Sequence, residues 1–198
     1  HTVTSGENLI SVSDIPIFDP PFVLTKVDKD TTTPQGDATF SGAVFKWEYF
    51  PNNDWSGTPA RVWYFATDTS GRCVYSKDYL APGYTSDALY VSPANVNQLP
   101  LGTVKITEVK NSLGYTVIAS SLYCTIAEDS TKASGAKHIW TEESKAILTQ
   151  MANGDWGVYE PIDINLFGSV AIDKFDAVTG QTPQGEASLA GAVYEVVN

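Results

Sequence analysis

An all-β sandwich is the fold class that this sequence predicts, on three observations. At least six segments alternate apolar and polar residues with the two-residue period of a half-buried strand. The composition, 42% hydrophobic but only 18% charged with 15 glycines and 11 prolines, suits turn-rich β structure better than helices. A strand-turn-strand unit is also written twice. Val23–Phe45 reads VLTKVDKDTTTPQGDATFSGAVF, and Ala171–Tyr194 reads AIDKFDAVTGQTPQGEASLAGAVY. Positions 33–46 and 182–195 align without a gap and share Thr, Pro, Gln, Gly, Ala, Gly, Ala and Val. A single-residue gap upstream brings Lys26 onto Lys174 and Asp28 onto Asp176. Such a repeat is the mark of tandem modules.

Taken in order, residues 1–21 form a lead-in broken by prolines, read as the end of a preceding module. Val23–Asp28 is the first strand and Lys29–Asp37 a Thr/Pro/Gly turn. Thr39–Phe50 is a long strand with Ala43, Phe45 and Trp47 on one face. Pro51–Pro59 is a turn, Ala60–Thr67 and Arg72–Lys77 are strands, and Leu89–Val91 is a short one. Leu99–Tyr115 carries a strand with Val104, Ile106 and Glu108 on one face. Val117–Ala127 is a strand and Glu128–Lys137 a loop. Thr141-Glu-Glu-Ser is an N-cap followed by acids at the positive helix end, which predicts a helix over 141–152 before the last strand, Gly157–Asn165. The expected whole is a Greek-key β-sandwich at 22–167, followed at 168–198 by the opening hairpin of a second, truncated module.

The net charge of −11 argues against a nucleic-acid partner, whose backbone would be repelled. No apolar run reaches the 18 residues of a membrane span, so no membrane insertion is expected of this stretch. With His1 and His138 the only histidines, a Ser-His-Asp triad or a multi-histidine metal site is disfavoured. Asn52, Asn53 and Asp54 lack the spacing of a calcium loop and read as a turn. Cys73 and Cys124 are either one disulfide or two separate core residues.

Two charged residues sit where apolar ones are due. Phe22, Leu24 and Lys26 share a strand face, as do Val104, Ile106 and Glu108. Either each charge marks a strand end and reaches water, or each is buried. A buried lysine loses its charge readily and can act as a nucleophile, and a buried glutamate can shuttle a proton.

Read together, Lys26-Val27-Asp28, Gly42-Ala43-Val44-Phe45, Leu99-Pro100-Leu101-Gly102, Glu108 and Gly114-Tyr115 resemble the pattern of Cna B-type, or SpaA-like, modules of Gram-positive surface proteins. The resemblance covers residues 22 to about 167, and the second copy keeps the K-x-D and G-A-x-Y elements. It implies an immunoglobulin- or prealbumin-like sandwich that serves as a structural or adhesive module, extracellular and wall-anchored through other parts of its protein. The implied partners are neighbouring modules and a host matrix protein or glycan. No cofactor, metal or enzymatic turnover is implied. The resemblance further implies an intramolecular isopeptide bond, with Lys26 as nucleophile, Glu108 as the proton-transferring acid and Asn165 as acceptor.

Two departures from the family pattern stand out. Val104 stands where the pattern has its usual tyrosine, two residues after Leu-Pro-x-Gly. Asn165 falls with Asp163 on the strand face opposite Ile162 and Ile164 unless a bulge intervenes, whereas Glu160 has the apolar parity but is a less usual acceptor. A second class of function is a carbohydrate-binding sandwich that uses aromatics among Trp47, Trp55, Trp63, Trp140 and Trp156. Of these, Trp55 and Trp140 are the expected exposed platforms.

Overall fold

The computed structural model describes residues 22–52, 54–92, 95–129, 131, 136–152, 156–160 and 172–195. The lead-in at 1–21 and the acceptor candidates Asp163 and Asn165 lie outside the described residues. The chain divides into two compact units, His1–Leu166 and Phe167–Asn198.

The first unit is an all-β sandwich of two sheets. Its strands are β1 (Val23–Asp28), β2 (Val44–Phe50), β3 (Arg61–Ala66), β4 (Arg72–Val74), β5 (Gly102–Lys110), β6 (Leu122–Glu128), β7 (Ala136–Trp140), β8 (Leu148–Gln150) and β9 (Trp156–Glu160). One sheet runs β4-β1-β9-β8 and the other β3-β2-β5-β6-β7. β1 lies inside its sheet, antiparallel to β4 and parallel to β9, and all six of its residues are buried. The parallel pair sets Lys26 opposite Val158 and Asp28 opposite Glu160.

Alternation builds the core as expected for facing sheets. β2 sends Phe45, Trp47 and Tyr49 inward, β3 adds Trp63 and Phe65, and β5 adds Val104 and Ile106, all at most 1% exposed. Trp47 stands edge-on to Phe22 and Phe65 with ring centres 4.9 and 5.0 Å apart, a favourable arrangement for aromatic pairs. β5 pairs with β2 through a register shift: Phe45 faces Glu108 while Val44 faces Lys110, leaving Val109 as the extra residue. A bulge of this kind re-aims the chain, and here it lies directly beside Glu108.

Several elements differ from the sequence expectation. The helix spans only Glu142–Lys145; Leu148–Gln150, expected as its second half, is strand β8 paired with β9. The cap signal is sound, since Thr141 Oγ1 accepts from the Ser144 N–H at 3.3 Å. What ends the helix is tertiary: Ser144 is fully buried with its Oγ accepting from Tyr123 N at 2.8 Å, and Leu148 turns into the core. Ala136–Trp140, whose first two residues were expected in a loop, is an edge strand with Ala136 and Trp140 pointing inward. Residues 39–43 precede β2 rather than belong to it, and β6 starts at Leu122, later than expected. Around Leu89–Val91 there is only an isolated bridge, Val91 to Asn97.

The second unit repeats the turn of the first. In unit one, Asp28 Oδ1 accepts from Asp30 N at 2.9 Å, Thr31 N at 3.0 Å and Gln35 Nε2 at 3.0 Å. In unit two, Asp176 Oδ1 accepts from Val178 N, Thr179 N and Gln184 Nε2, each at 2.9 Å. The one-residue gap in the repeat falls inside this loop, and the carboxylate–glutamine link survives it. The strand positions fare differently. Leu24 is 0% exposed and its counterpart Ile172 is 52% exposed; Phe45 is 1% exposed and its counterpart Tyr194 is 52% exposed.

Gly102 of the Leu-Pro-Leu-Gly stretch has φ +146°, and a Cβ there would run into the Phe50 carbonyl oxygen and the Tyr49 ring. Gly102→Ala should therefore destabilise the sandwich by about 2–4 kcal/mol, read as a lower denaturant midpoint at unchanged m-value.

Candidate functional site: a buried lysine–glutamate pair

Lys26 and Glu108 meet in the core. β1 delivers the lysine from the four-stranded sheet and β5 the glutamate from the five-stranded one, so the pair spans the sandwich. Lys26 Nζ donates to Glu108 Oε1 at 2.8 Å, and both side chains are completely shielded from solvent. The reading in which these charges mark strand ends and reach water is thereby excluded. Glu108 Oε2 accepts the Ile118 N–H at 2.7 Å, so both carboxylate oxygens are engaged. Removing two charges from water costs several kcal/mol per ion, and only close, fully hydrogen-bonded geometry offsets that cost.

The surroundings fix the lysine in place. The Lys26 N–H donates to the Gly71 carbonyl at 2.8 Å. Gly71 has φ +79°, and a Cβ would sit 2.7 Å from the Lys26 carbonyl oxygen, so only glycine allows this approach. The Tyr115 ring lies 5.3 Å from Nζ, within cation–π range. Tyr115 is fully buried, and its hydroxyl donates to Asp28 Oδ2 at 3.2 Å. Burial pushes the Asp28 carboxyl up, but the N–H groups of Thr31 and Asp30 and the Gln35 amide outweigh it and hold the group below its ordinary value.

Sequence reasoning thus located Lys26 and Glu108, and the structure brings them together. Of the acceptor candidates, Asn165 and Asp163 lie outside the described residues, and Glu160 is placed by its backbone on β9. Asp28, Gln35 and Tyr115 were missed as a set; the signal available was that both repeats keep the aspartate and the glutamine.

The other candidate chemistries resolve as follows. Cys73 and Cys124 are free thiols buried in different sheets, not a disulfide, and burial pushes both thiols up. Asp54 accepts from Ser56 N and Ser56 Oγ at 2.8 and 2.7 Å, which makes it a turn cap. Trp47 and Trp63 are fully buried. Trp140, expected as an exposed platform, is 2% exposed because β7 turns it into the core. Trp55 is half-buried, packed edge-on against Tyr123 at 5.3 Å. The described tryptophans therefore offer no exposed aromatic row.

No protein-family model matches this chain, and no curated protein matches its sequence.

Two outcomes are expected from this geometry. An acylating reagent applied to the native protein should modify the exposed Lys174 and spare Lys26, as read by peptide mass mapping; acylated Lys26 in folded protein would contradict the burial. Because the folded-state pKa of Asp28 is lowered, its stabilising contribution is present above its unfolded value and is lost as pH falls through the folded one. Asp28→Asn should accordingly flatten the stability curve from about pH 4 downward, in urea titrations at stepped pH.

Proposed function

We propose that this chain is a structural and adhesive module of a bacterial cell-surface protein, extracellular and wall-anchored, stapled by an autocatalytic isopeptide bond from Lys26. The observation that carries the reading is the wholly buried Lys26–Glu108 pair at 2.8 Å, with Lys26 on the first described strand, which lies parallel to the last described strand of its unit. A buried ion pair is a costly way to join two sheets, and hydrophobic residues of similar volume are often as stable. A reactive role accounts for that cost.

The chemistry is single-turnover. The proton shared along the Nζ–Oε1 hydrogen bond passes to Glu108 and leaves a neutral amine. The amine attacks the carbonyl carbon of a side-chain amide held close to it, and a C–N bond forms. Glu108 then gives its proton to the departing nitrogen and takes the second proton of the attacking nitrogen in its place, so that ammonia leaves and Glu108 ends protonated. With a carboxylic acid as acceptor, water leaves instead. The module binds no cofactor in this scheme, and its partners are neighbouring modules and a host protein or glycan.

The strand register weighs on the choice of acceptor. Val158 stands beside Lys26, and Glu160 is the next β9 residue of the same parity. Asn165 is seven residues past Val158, roughly 23 Å along an extended chain. An amide acceptor at Asn165 thus requires the chain to change direction after Glu160, where Pro161 has no N–H with which to continue a ladder. Glu160 and Asp163 are the carboxyl alternatives.

Intact mass decides the reading. Condensation with Asn165 lowers the mass by about 17 Da and condensation with Asp163 or Glu160 by about 18 Da, as amide formation by lysine requires. Glu108→Ala should restore the full sequence mass and lower the melting temperature, since closing a loop of this length contributes at most about 4–5 kcal/mol on the chain-entropy model. A wild-type mass equal to that of the sequence, with both thiols reduced, would refute the bond.

A further inference from the structure

We infer that Tyr115 and Asp28 form a positioning latch that sets the Lys26 amine against Glu108; as a role in bond formation, this rests on the cross-link reading above. The argument begins with connectivity. The segment between Asn111 and Ile118 touches both members of the reactive pair. Its end supplies the N–H that holds Glu108 Oε2, and its middle supplies the tyrosine ring beside Nζ. The segment is itself braced: Tyr115 N donates to Ser112 O at 3.2 Å, and the Asn111 amide donates to the Tyr115 carbonyl. Tyr115 therefore occupies a fixed point relative to the carboxylate.

Its hydroxyl links that point to the lysine's own strand. Asp28 lies two residues beyond Lys26 on the same face of β1, and its Oδ2 accepts from the tyrosine hydroxyl. Its other oxygen is held by the turn through three donors. One hydrogen bond thus fixes the distance between the strand that carries the amine and the loop that orients the acid. A hydroxyl that only needed satisfaction in the core could have used a carbonyl. This one reaches a buried carboxylate anchored on the nucleophile's strand. Positioning of this kind governs rate, because small displacements of reacting groups are costly to near-attack geometry.

Tyr115→Phe keeps the ring and removes the hydroxyl that makes the tether. Chain made by cell-free synthesis can be sampled by intact mass while it folds, so the mass loss itself gives the rate. Tyr115→Phe should slow that loss about ten-fold, the size expected for losing a hydrogen bond to a charged group, while circular dichroism stays that of the wild type. Asp28→Asn should slow it as well, and the double variant should lose less than the product of the two single effects, because the two variants share one interaction. An unchanged rate in Tyr115→Phe, or effects that multiply in the double variant, would overturn the assignment. If the wild type never loses mass, the cross-link reading fails and the latch is judged on the free amine. Acylation of Lys26, measured against Lys174 in the same molecule, should then rise about ten-fold in Tyr115→Phe, and equal protection would overturn the latch.

Discussion

The ion pair between Lys26 and Glu108 constrains everything around it. A lysine and a glutamate shut off from water are tolerable only if neither loses its partner, since an unpaired buried charge costs about 3–5 kcal/mol. The two strands that carry them belong to different sheets, so the pair fixes how far apart the sheets stand and how they are offset along the strands. The bulge at Val109 and the glycine at 71 lie on either side of the pair and accommodate it. The first re-aims β5 next to the carboxylate, and the second lets the backbone of the β3–β4 turn close on Lys26.

The repeated turn is a second level of the same design. Asp28 and Gln35 close a loop at the end of β1, and Asp176 and Gln184 close the corresponding loop in the second unit with the same donors. Two backbone N–H groups and one side-chain amide converging on one oxygen make a local structure that depends little on distant packing. It forms in both copies although the flanking apolar positions are buried in one and exposed in the other. In the first unit the same aspartate gives its remaining oxygen to Tyr115. Where the surrounding sandwich is present, the local turn becomes part of the core network.

Much of this was legible in the sequence wherever one period decided the matter. Strand parity placed Lys26 with Leu24 and Glu108 with Ile106 on apolar faces, and the structure decides that both charges are buried there rather than at strand ends. Elements decided by competition between local and tertiary signals were not legible. Thr141 is a true N-cap and the acids behind it are well placed, yet the helix stops after one turn because Leu148 gains more by entering the core and pairing with β9. β7 was hidden for a related reason: Ala-Lys-His-Ile-Trp is short, and its inward residues are one small and one aromatic. That misreading also made Trp140 look like a surface residue. The link from Tyr115 to Asp28 spans 87 positions and obeys no period, so no local pattern could reveal it.

Under the proposed cross-link, the direction of β9 would give the buried pair a mechanical role. In the first unit, β1 is the first described strand and β9 the last, and they are hydrogen-bonded neighbours running parallel. Tension applied at the start of β1 and the end of β9 pulls these strands past each other, and the load falls on the evenly spaced ladder between them. Each of those bonds contributes only about 1 kcal/mol net in water, where a broken bond is replaced by solvent. A lysine on β1 joined to a side chain beyond β9 would divert the load through a covalent path and leave the ladder unstressed. For that proposed role an interior strand suits the amine better than an edge strand such as β4, from which a cross-link would shield less of the sheet. Complete burial of the pair would serve the proposed cross-link as well, since an isopeptide formed there is closed to water.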